Sequence, residues 1–212
     1  EYMLPHVGDE RYFEGRVVPC GENRVLTIVR DITDRKQFES CLRDMATHDT
    51  LTALPNRLLF QDRLAHAVDR SRRSGLKVVL LFLDLDGFKD VNDTCGHKVG
   101  DALLREIAGR IRSCVRGNDT VARFGGDEFT VVLEDINGPA VIIEITDRIL
   151  EMVARPVQIE NYKVSVTTSI GVAVWPDDSP DPCEIMVLAD RAMYVAKRAG
   201  KNATSFYKMF SK

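Results

Sequence analysis

The stretch Arg123-Phe124-Gly125-Gly126-Asp127-Glu128-Phe129-Thr130 decides the fold of this chain. β-forming residues precede it at 120–122 and continue after the glycines at 129–133, which predicts a β-hairpin with a tight Gly-Gly turn. A turn needs the glycines, which also let another group approach the backbone, but it does not need Asp127 and Glu128. These paired carboxylates are either a solvated acidic turn or ligands for a hard cation such as Mg²⁺, which would in turn hold phosphates.

A second acidic pair follows the most apolar run of the chain. Residues 77–83 read Lys-Val-Val-Leu-Leu-Phe-Leu, which predicts a central strand buried on both faces. The run leads directly into Asp84-Leu85-Asp86. Charges at the end of a buried strand are costly unless they are bound or solvated, and α/β folds place their chemistry at strand ends. We therefore expect a functional site here, with an ordinary acidic loop as the alternative.

Composition narrows the class of protein. The 212 residues are enough for one good-sized domain and a fragment. The net charge is −3 and the sequence has no basic stripe, and both observations argue against nucleic-acid binding. Five cysteines without CxxC spacing predict neither a disulfide framework nor a zinc site, and they fit a reducing cytoplasm. The chain begins at Glu1, so we expect it to be part of a longer protein, in which missing upstream segments could provide a membrane tether.

The first 34 residues favour β structure. Alternating residues at 11–19 and 24–30, with a turn around residues 21–23, predict two strands that are too few to bury a core alone. The ending Val29-Arg30-Asp31-Ile32-Thr33-Asp34 resembles the last strand and exit of a PAS sensor domain. We therefore expect residues 1–34 to be the incomplete end of a PAS-like domain.

Residues 35–47 are predicted to form a linker helix. Phe38, Leu42 and Met45 make a short heptad seam, which favours either a dimerising signalling helix or a helix that packs on its own domain.

Further motifs extend from residue 48 to about residue 207. They are the entry turn His48–Arg57, the runs Gly87–Asp93 and Gly96–Asp101, the strand Ser169–Ala173, and the closing segments Ala189–Lys197 and Gly200–Asn202. Together with Gly-Gly-Asp-Glu-Phe, these motifs resemble GGDEF domains, the diguanylate cyclase family. The resemblance implies a GGDEF domain over residues 48–212.

Hydrophobic periodicity predicts the remaining elements of this domain. We expect helices at 58–74, 101–115, 139–154 and through 189–197, and one long strand or a strand pair at 164–174. The inward residues of the first of these helices are predicted to be Leu58, Leu64, Ala65 and Val68. The β-α-β-β-α-β order predicts an α/β (α+β) fold, in which helices flank a central mixed or antiparallel sheet with a nucleotide-cyclase-like core.

The resemblance implies a catalytic centre that joins two GTP molecules into cyclic di-GMP. By this resemblance, Asp84 and Asp127 are the carboxylates that bind Mg²⁺ or Mn²⁺. The Leu85 carbonyl is a further ligand, and Glu128 is a second acidic contributor. The resemblance also implies that Asp127, Glu128 and Lys89 are the catalytic residues. Asp86 is either a structural hydrogen-bond acceptor or another ligand.

Substrate-binding residues follow from the same motifs. Asn92 and Asp101 match the positions that read guanine, and a carboxylate can accept from both donors on the guanine edge, which adenine lacks. Phosphate contacts are implied for three lysines, and we expect His97 to have a structural role at a helix start. The substrate-binding set is Phe88, Lys89, Asn92, Asp101, Gly125, Gly126, Lys197 and Lys201.

Two regulatory features complete the implied picture. Arg116 and Asp119 form an Arg-x-x-Asp motif that resembles the family's inhibitory product site. The resemblance also implies that each domain binds one GTP, so that activity requires a homodimer. The alternative is a GTP-binding regulatory module that controls a downstream phosphodiesterase domain absent from this chain.

Overall fold

The amino-terminal part of the chain is a three-stranded antiparallel sheet followed by a helix. The computed structural model describes residues 2–6, 9–20 and 24–208. The strands lie in the order β1-β2-β3, with a helix directly after β3. The bounds are β1 Tyr2–His6, β2 Asp9–Pro19, β3 Val25–Asp31 and α1 Thr33–Thr47.

Both predicted strands are present, and β1 is an addition to them. The turn expected at residues 21–23 lies outside the described residues. The seam residues Phe38, Leu42 and Met45 of α1 are exposed by 70%, 66% and 60%. The chain divides into two units, Glu1–Ala46 and Thr47–Lys212.

The second unit is built on a five-stranded mixed sheet in the order β10-β9-β4-β6-β5. Strands β9 and β10 are parallel and the other neighbours are antiparallel, so the predicted mixed α/β fold is confirmed. A small hairpin, β7–β8, stands apart from this sheet. The elements are α2 Arg57–Ser74, β4 Lys77–Asp86, α3 Phe88–Cys95, α4 His97–Ser113, β5 Thr120–Gly125, β6 Glu128–Ile136, α5 Pro139–Ala154, β7 Val157–Ile159, β8 Tyr162–Val164, β9 Thr167–Trp175, α6 Pro182–Arg198 and β10 Thr204–Phe206.

Strand β4 lies at the centre of the sheet and is buried on both faces, as predicted. Its alternate residues Val79, Leu81 and Leu83 join one apolar core with α4 and α5. Leu80 and Phe82 join the other core with α2 and α6. Two helical layers therefore cover the sheet, and the ends of its central strands are where polar side chains can be reached.

Helix α2 corrects one sequence prediction. Leu64 and Val68 are buried as expected, but Leu58 is 61% exposed and Ala65 is also exposed. Phe60 faces the sheet in their place. At 3.6 residues per turn, Leu58 lies roughly 120° around the helix from Leu64, so the two cannot share one narrow face.

Helix α4 begins four residues before its predicted start. Gly96, with φ of 84°, separates α3 from α4, and His97 is the first residue of α4. The buried face of α4 includes Leu103, Ile107 and Ile111. Asp101 is therefore inside the helix and cannot cap it.

Helix α6 lies directly on the backbone of β9. A Cβ atom added at Gly171 would stand 2.0 Å from the Ala189 carbonyl oxygen and 2.2 Å from the Met193 nitrogen. Only glycine permits this approach. It fixes the height of α6, so that Lys197, one turn beyond Met193, reaches the end of β4.

Candidate active site at the end of the central strand

The two acidic stretches predicted from the sequence meet at the edge of the sheet. Asp84, near the end of β4, stands in register with Glu128, the first residue of β6. The amide of Leu85 donates to the Asp127 carbonyl oxygen at 3.3 Å. The hairpin turn is therefore held against the central strand, and its carboxylates share one region with Asp84.

Negative charge is in excess in this region. Burial raises the pKa of Asp84, the nearby Asp127 carboxylate raises it further, and the hydrogen bond from Lys197 opposes the rise. Burial also raises the pKa of Glu128, and the charges of Asp84 and Asp127 add to that shift. The Lys197 ammonium is 2.6 Å from Asp84 Oδ1. One lysine does not cancel the mutual repulsion, so a further cation would be stabilised here.

A divalent cation fits this site by the type of donor. Carboxylate oxygens of Asp84 and Asp127 and the carbonyl of Leu85 are the hard ligands that Mg²⁺ and Mn²⁺ prefer. Across the described ranges, however, no three His, Cys, Asp or Glu side chains already stand close enough together to hold a metal ion. Because the Lys197 ammonium already contacts Asp84 Oδ1, a bound cation would have to share that oxygen with Lys197 or displace the lysine.

A cavity of about 260 Å³ opens beside these carboxylates. It brings together predicted metal, catalytic and phosphate-binding residues from four separate parts of the chain. Three lysines line it with the acids, which suits an anionic ligand that carries its own cation. The predicted residues in its wall are Asp84, Leu85, Phe88, Lys89, Asp127, Lys197 and Lys201.

Asp86 has the role of a structural acceptor. Its Oδ1 accepts from the Ser169 hydroxyl at 2.9 Å, and its Oδ2 accepts from the Thr167 hydroxyl at 2.9 Å and the Asn202 amide at 3.1 Å. Both carboxylate oxygens are therefore occupied, and they tie β4 to β9 and to the loop after α6. This favours the structural interpretation over the ligand interpretation.

The two predicted guanine-reading residues lie outside this cavity but close to each other. Asn92 is on α3 and half-buried, and Asp101 is exposed in the second turn of α4. Gly100, next to Asp101, lies against the Asn92 side chain. His97 is exposed at the first position of α4, where we expected it.

Arg123 holds the hairpin turn, a role that the sequence prediction missed. Its Nε and Nη2 donate to the Gly126 carbonyl oxygen at 2.9 and 2.7 Å, and Nη1 lies 3.0 Å from both carboxylate oxygens of Asp49. Burial alone would raise the pKa of Asp49, but hydrogen bonds from Thr52 and Arg123 outweigh it and lower that pKa. An arginine two residues before a Gly-Gly turn, with an acid in the entry loop, was the available signal.

The two turn glycines do not serve packing inside the domain. A Cβ atom at Gly125 or Gly126 would meet nothing within 4 Å, although Gly126 has a φ of 51°. Gly125 lines a second cavity of about 450 Å³, in which the Arg57 guanidinium stacks 4.7 Å from the Phe124 ring centroid. The hairpin turn therefore separates two cavities.

The predicted inhibitory motif is a turn at the far end of β5. The buried Asp119 carboxylate accepts from the Arg116 amide at 2.9 Å and the Glu134 amide at 3.2 Å. Arg112 donates to the carbonyl oxygens of Arg116 and Asp119 at 3.1 and 2.9 Å. Arg116 itself is exposed.

No helix in the described ranges is both long enough and apolar enough to cross a membrane.

Known proteins resemble this chain over the same domain. MucR of Pseudomonas aeruginosa, a bifunctional diguanylate cyclase/cyclic di-GMP phosphodiesterase, is 45% identical over 166 residues, which are 78% of this chain and 24% of MucR. The diguanylate cyclase TpbB of the same species is 35% identical over 206 residues, 92% of this chain and 47% of TpbB. The chain therefore spans less than half the length of either relative.

Solved structures agree with the fold. The GGDEF domain alone of TpbB matches with a TM-score of 0.74 and 38% identity, over 76% of this chain and 95% of that one. The coiled coil and GGDEF domain of DgcB from Caulobacter crescentus, in complex with cyclic di-GMP, matches with a TM-score of 0.74 and 30% identity, over 82% and 93%. The profile described as "Diguanylate cyclase, GGDEF domain" matches residues 46–203. The chain belongs to the GGDEF-domain family of diguanylate cyclases.

Proposed function

We propose that this domain condenses two GTP molecules into cyclic di-GMP and releases two pyrophosphates. The observation that carries the proposal is the single cavity in which Asp84 and Asp127 stand with Lys89, Lys197 and Lys201. Transfer of a nucleotidyl group from a triphosphate requires carboxylates that bind a cation and, beside them, lysines that neutralise the phosphates.

Each transfer forms a bond between a ribose 3′-oxygen and the α-phosphorus of the other GTP, while the bond to pyrophosphate breaks. The three lysines neutralise the charge of the triphosphate and of the departing pyrophosphate. A divalent cation bound by Asp84, Asp127 and the Leu85 carbonyl would supply further charge neutralisation and a lower pKa for the 3′-hydroxyl. Burial raises the pKa of Glu128, and this residue is proposed as a second acidic contributor beside Asp127.

Specificity for guanine is proposed for Asn92 and Asp101. Asp101 is exposed one residue from the glycine that contacts Asn92, so both side chains can reach the same base. A carboxylate accepts hydrogen bonds from N1–H and the exocyclic amine of guanine. Adenine lacks this pair of donors and would leave the carboxylate unpaired, so it would bind more weakly.

A homodimer is part of the proposal, because each domain supplies a site for one GTP. The exposed Phe38–Leu42–Met45 seam is the surface through which α1 would pair two chains. We assign residues 1–34 to the end of a PAS-like domain, residues 35–47 to the linker helix and residues 48–212 to the cyclase domain, in a longer cytoplasmic or membrane-tethered protein.

A regulatory GTP-binding module is the second candidate. Two relatives, PdeR of Escherichia coli at 38% identity and NbdA of Pseudomonas aeruginosa at 36% identity, are named as cyclic di-GMP phosphodiesterases. The acids and lysines of the cavity favour the enzyme, since nucleotide binding alone does not require a paired carboxylate site.

The direct test is to incubate the protein with GTP and MgCl₂ or MnCl₂ and to separate the products by chromatography. We expect cyclic di-GMP and pyrophosphate from the parent and neither from Asp127→Asn. GTP binding without turnover by a dimeric parent would favour the regulatory module. Turnover by folded Asp127→Asn at the parental rate would contradict the metal assignment.

Product inhibition at the Arg116 turn is a further part of the proposal. The Arg116 guanidinium offers a planar fork of donors to phosphate or to the guanine edge. Asp119 would add an acceptor from the same turn, although in this structure its carboxylate also holds backbone amides. Bound product would hold two domains apart without touching the cavity.

Initial rates with added cyclic di-GMP test this site. We expect Arg116→Ala to relieve inhibition at an unchanged uninhibited rate, while Asn118→Ala, an exposed residue of the same turn, keeps the parental inhibition curve. Identical curves for the parent and both variants would remove Arg116 from the proposed site.

A further inference from the structure

Gly100 lies inside helix α4, where the backbone conformation does not require a glycine. It lies in the first half of α4, where φ is in the ordinary helical range, and glycine lowers helix stability relative to alanine. Another glycine of the same helix, Gly109, has open space around its Cβ position, with nothing within 4 Å. Both glycines are inside the same helix, and Gly100 is the one whose Cβ position is occupied by another residue.

The space at Gly100 is taken by the side chain of Asn92. A Cβ atom on Gly100 would stand 2.0 Å from Asn92 Oδ1 and 3.0 Å from Asn92 Cγ, with the end of the Phe88 ring at 3.4 Å. Within the described part of the chain, the Asn92 carboxamide makes no hydrogen bond that would hold it in place. The missing Cβ of Gly100 leaves the room in which this carboxamide lies.

We infer that Gly100 is a positioning residue for base recognition, because it leaves the room in which the Asn92 carboxamide is placed beside Asp101. The inference rests on the proposed recognition of guanine by Asn92 and Asp101. The atoms that a methyl group would meet belong to the end of a side chain and not to backbone, so the protein can accommodate Gly100→Ala by turning Asn92 away. The substitution therefore keeps the fold and removes the base-reading group.

Binding of a non-hydrolysable GTP analogue, with the ATP analogue in parallel, tests the inference in four variants. We expect Gly100→Ala to weaken GTP-analogue binding by about tenfold or more and to lower the preference over the ATP analogue. Gly109→Ala should bind like the parent. In an Asn92→Ala background, adding Gly100→Ala should change binding by less than about twofold, because the group that it displaces is already gone.

A second measurement does not depend on nucleotide. The side-chain amide resonances of Asn92 should shift in the NMR spectrum of Gly100→Ala and not in that of Gly109→Ala, while the thermal midpoint of Gly100→Ala stays at or above the parental value. Unshifted resonances, or equal loss of binding with and without Asn92, would overturn the inference. If Asn92→Ala binds the GTP analogue as tightly as the parent, both the guanine assignment and the inference are wrong. If the parent makes no cyclic di-GMP but Gly100→Ala still binds the GTP analogue more weakly than the parent, only the proposed reaction is contradicted.

Discussion

Just before β5 the Asp119 carboxylate accepts hydrogen bonds from the backbone amides of Arg116 and Glu134. Beyond the end of β5, burial and the Asp127 charge raise the pKa of Asp84, and burial and the charges of Asp84 and Asp127 raise the pKa of Glu128. The first acid is buried and satisfied by neutral donors. Asp127 and Glu128 are partly buried, and Lys197 forms an ion pair with Asp84.

The difference separates acids that build the fold from acids that are available for chemistry. A carboxylate that accepts amide hydrogen bonds stabilises a turn, and removing it leaves buried donors unpaired. Carboxylates held near one another store repulsion, which a bound cation relieves. The same contrast occurs within β4, where Asp86 is fully occupied by donors and Asp84 is not. Four predictions test this contrast.

The largest expected effect is on turnover at the site end of the hairpin. Asp84→Asn and Asp127→Asn should each lower the rate of cyclic di-GMP formation by about a thousandfold, because a lost metal ligand removes several kcal/mol of charge stabilisation. Initial rates at saturating GTP and Mg²⁺ give the measurement. Rates within tenfold of the parent, in variants with parental circular dichroism, would place the metal elsewhere.

The next effect is on stability at the opposite end. Asp119→Ala should lower the free energy of unfolding by about 2–3 kcal/mol, since two backbone amides lose their acceptor, whereas Asp84→Asn should change it by less than about 1 kcal/mol. Urea unfolding monitored by fluorescence measures both, with Asn118→Ala as the exposed control. If Asp84→Asn proves the more destabilising, the division between structural and chemical acids is wrong.

A smaller effect is expected where the entry loop grips the hairpin turn. Arg123→Lys should lower turnover by about tenfold, because an ammonium cannot hold the Asp49 carboxylate and the Gly126 carbonyl as the guanidinium fork does. Arg105→Lys is the matched control, since Arg105 donates to the Leu51 carbonyl at 3.3 Å and does not brace the turn. Equal rates for both variants would show that the brace does not position Asp127.

The smallest effect is a pH dependence of stability without metal. Because the folded pKa of Asp84 lies above its ordinary value of 3.8, its contribution to stability is present below that value and is lost as the pH rises through the folded pKa. In EDTA, the stability of Asp84→Asn relative to the parent should therefore increase as the pH rises above about 4. Added Mg²⁺ should reduce the gain. A difference that does not change with pH would show that the folded-state pKa of Asp84 is not raised.

Much of the architecture was predictable because it depends on local patterns. The continuous apolar run before Asp84 predicted the central strand, and the Gly-Gly pair between β-forming residues predicted the hairpin. Helix α5 was predicted with its observed bounds because Pro139 marks its start. The face of α2 and the start of α4 were predicted less well. Leu58 does not share a narrow helix face with Leu64, and Gly96, with a φ of 84°, lets α4 begin four residues before Asp101.

The sequence by itself determined the candidate set of side chains, because motif order and residue type pick out the carboxylates, the lysines and the proposed guanine-reading groups whatever their final positions. Only the tertiary structure decided how those groups divide. It satisfied Asp86 and Asp119 with hydrogen bonds, placed Lys197 on Asp84, and set Asn92 against Gly100. The physical reason is that hydrogen-bond satisfaction, burial and close packing depend on contacts between residues far apart in the chain, and a linear pattern does not specify those distances.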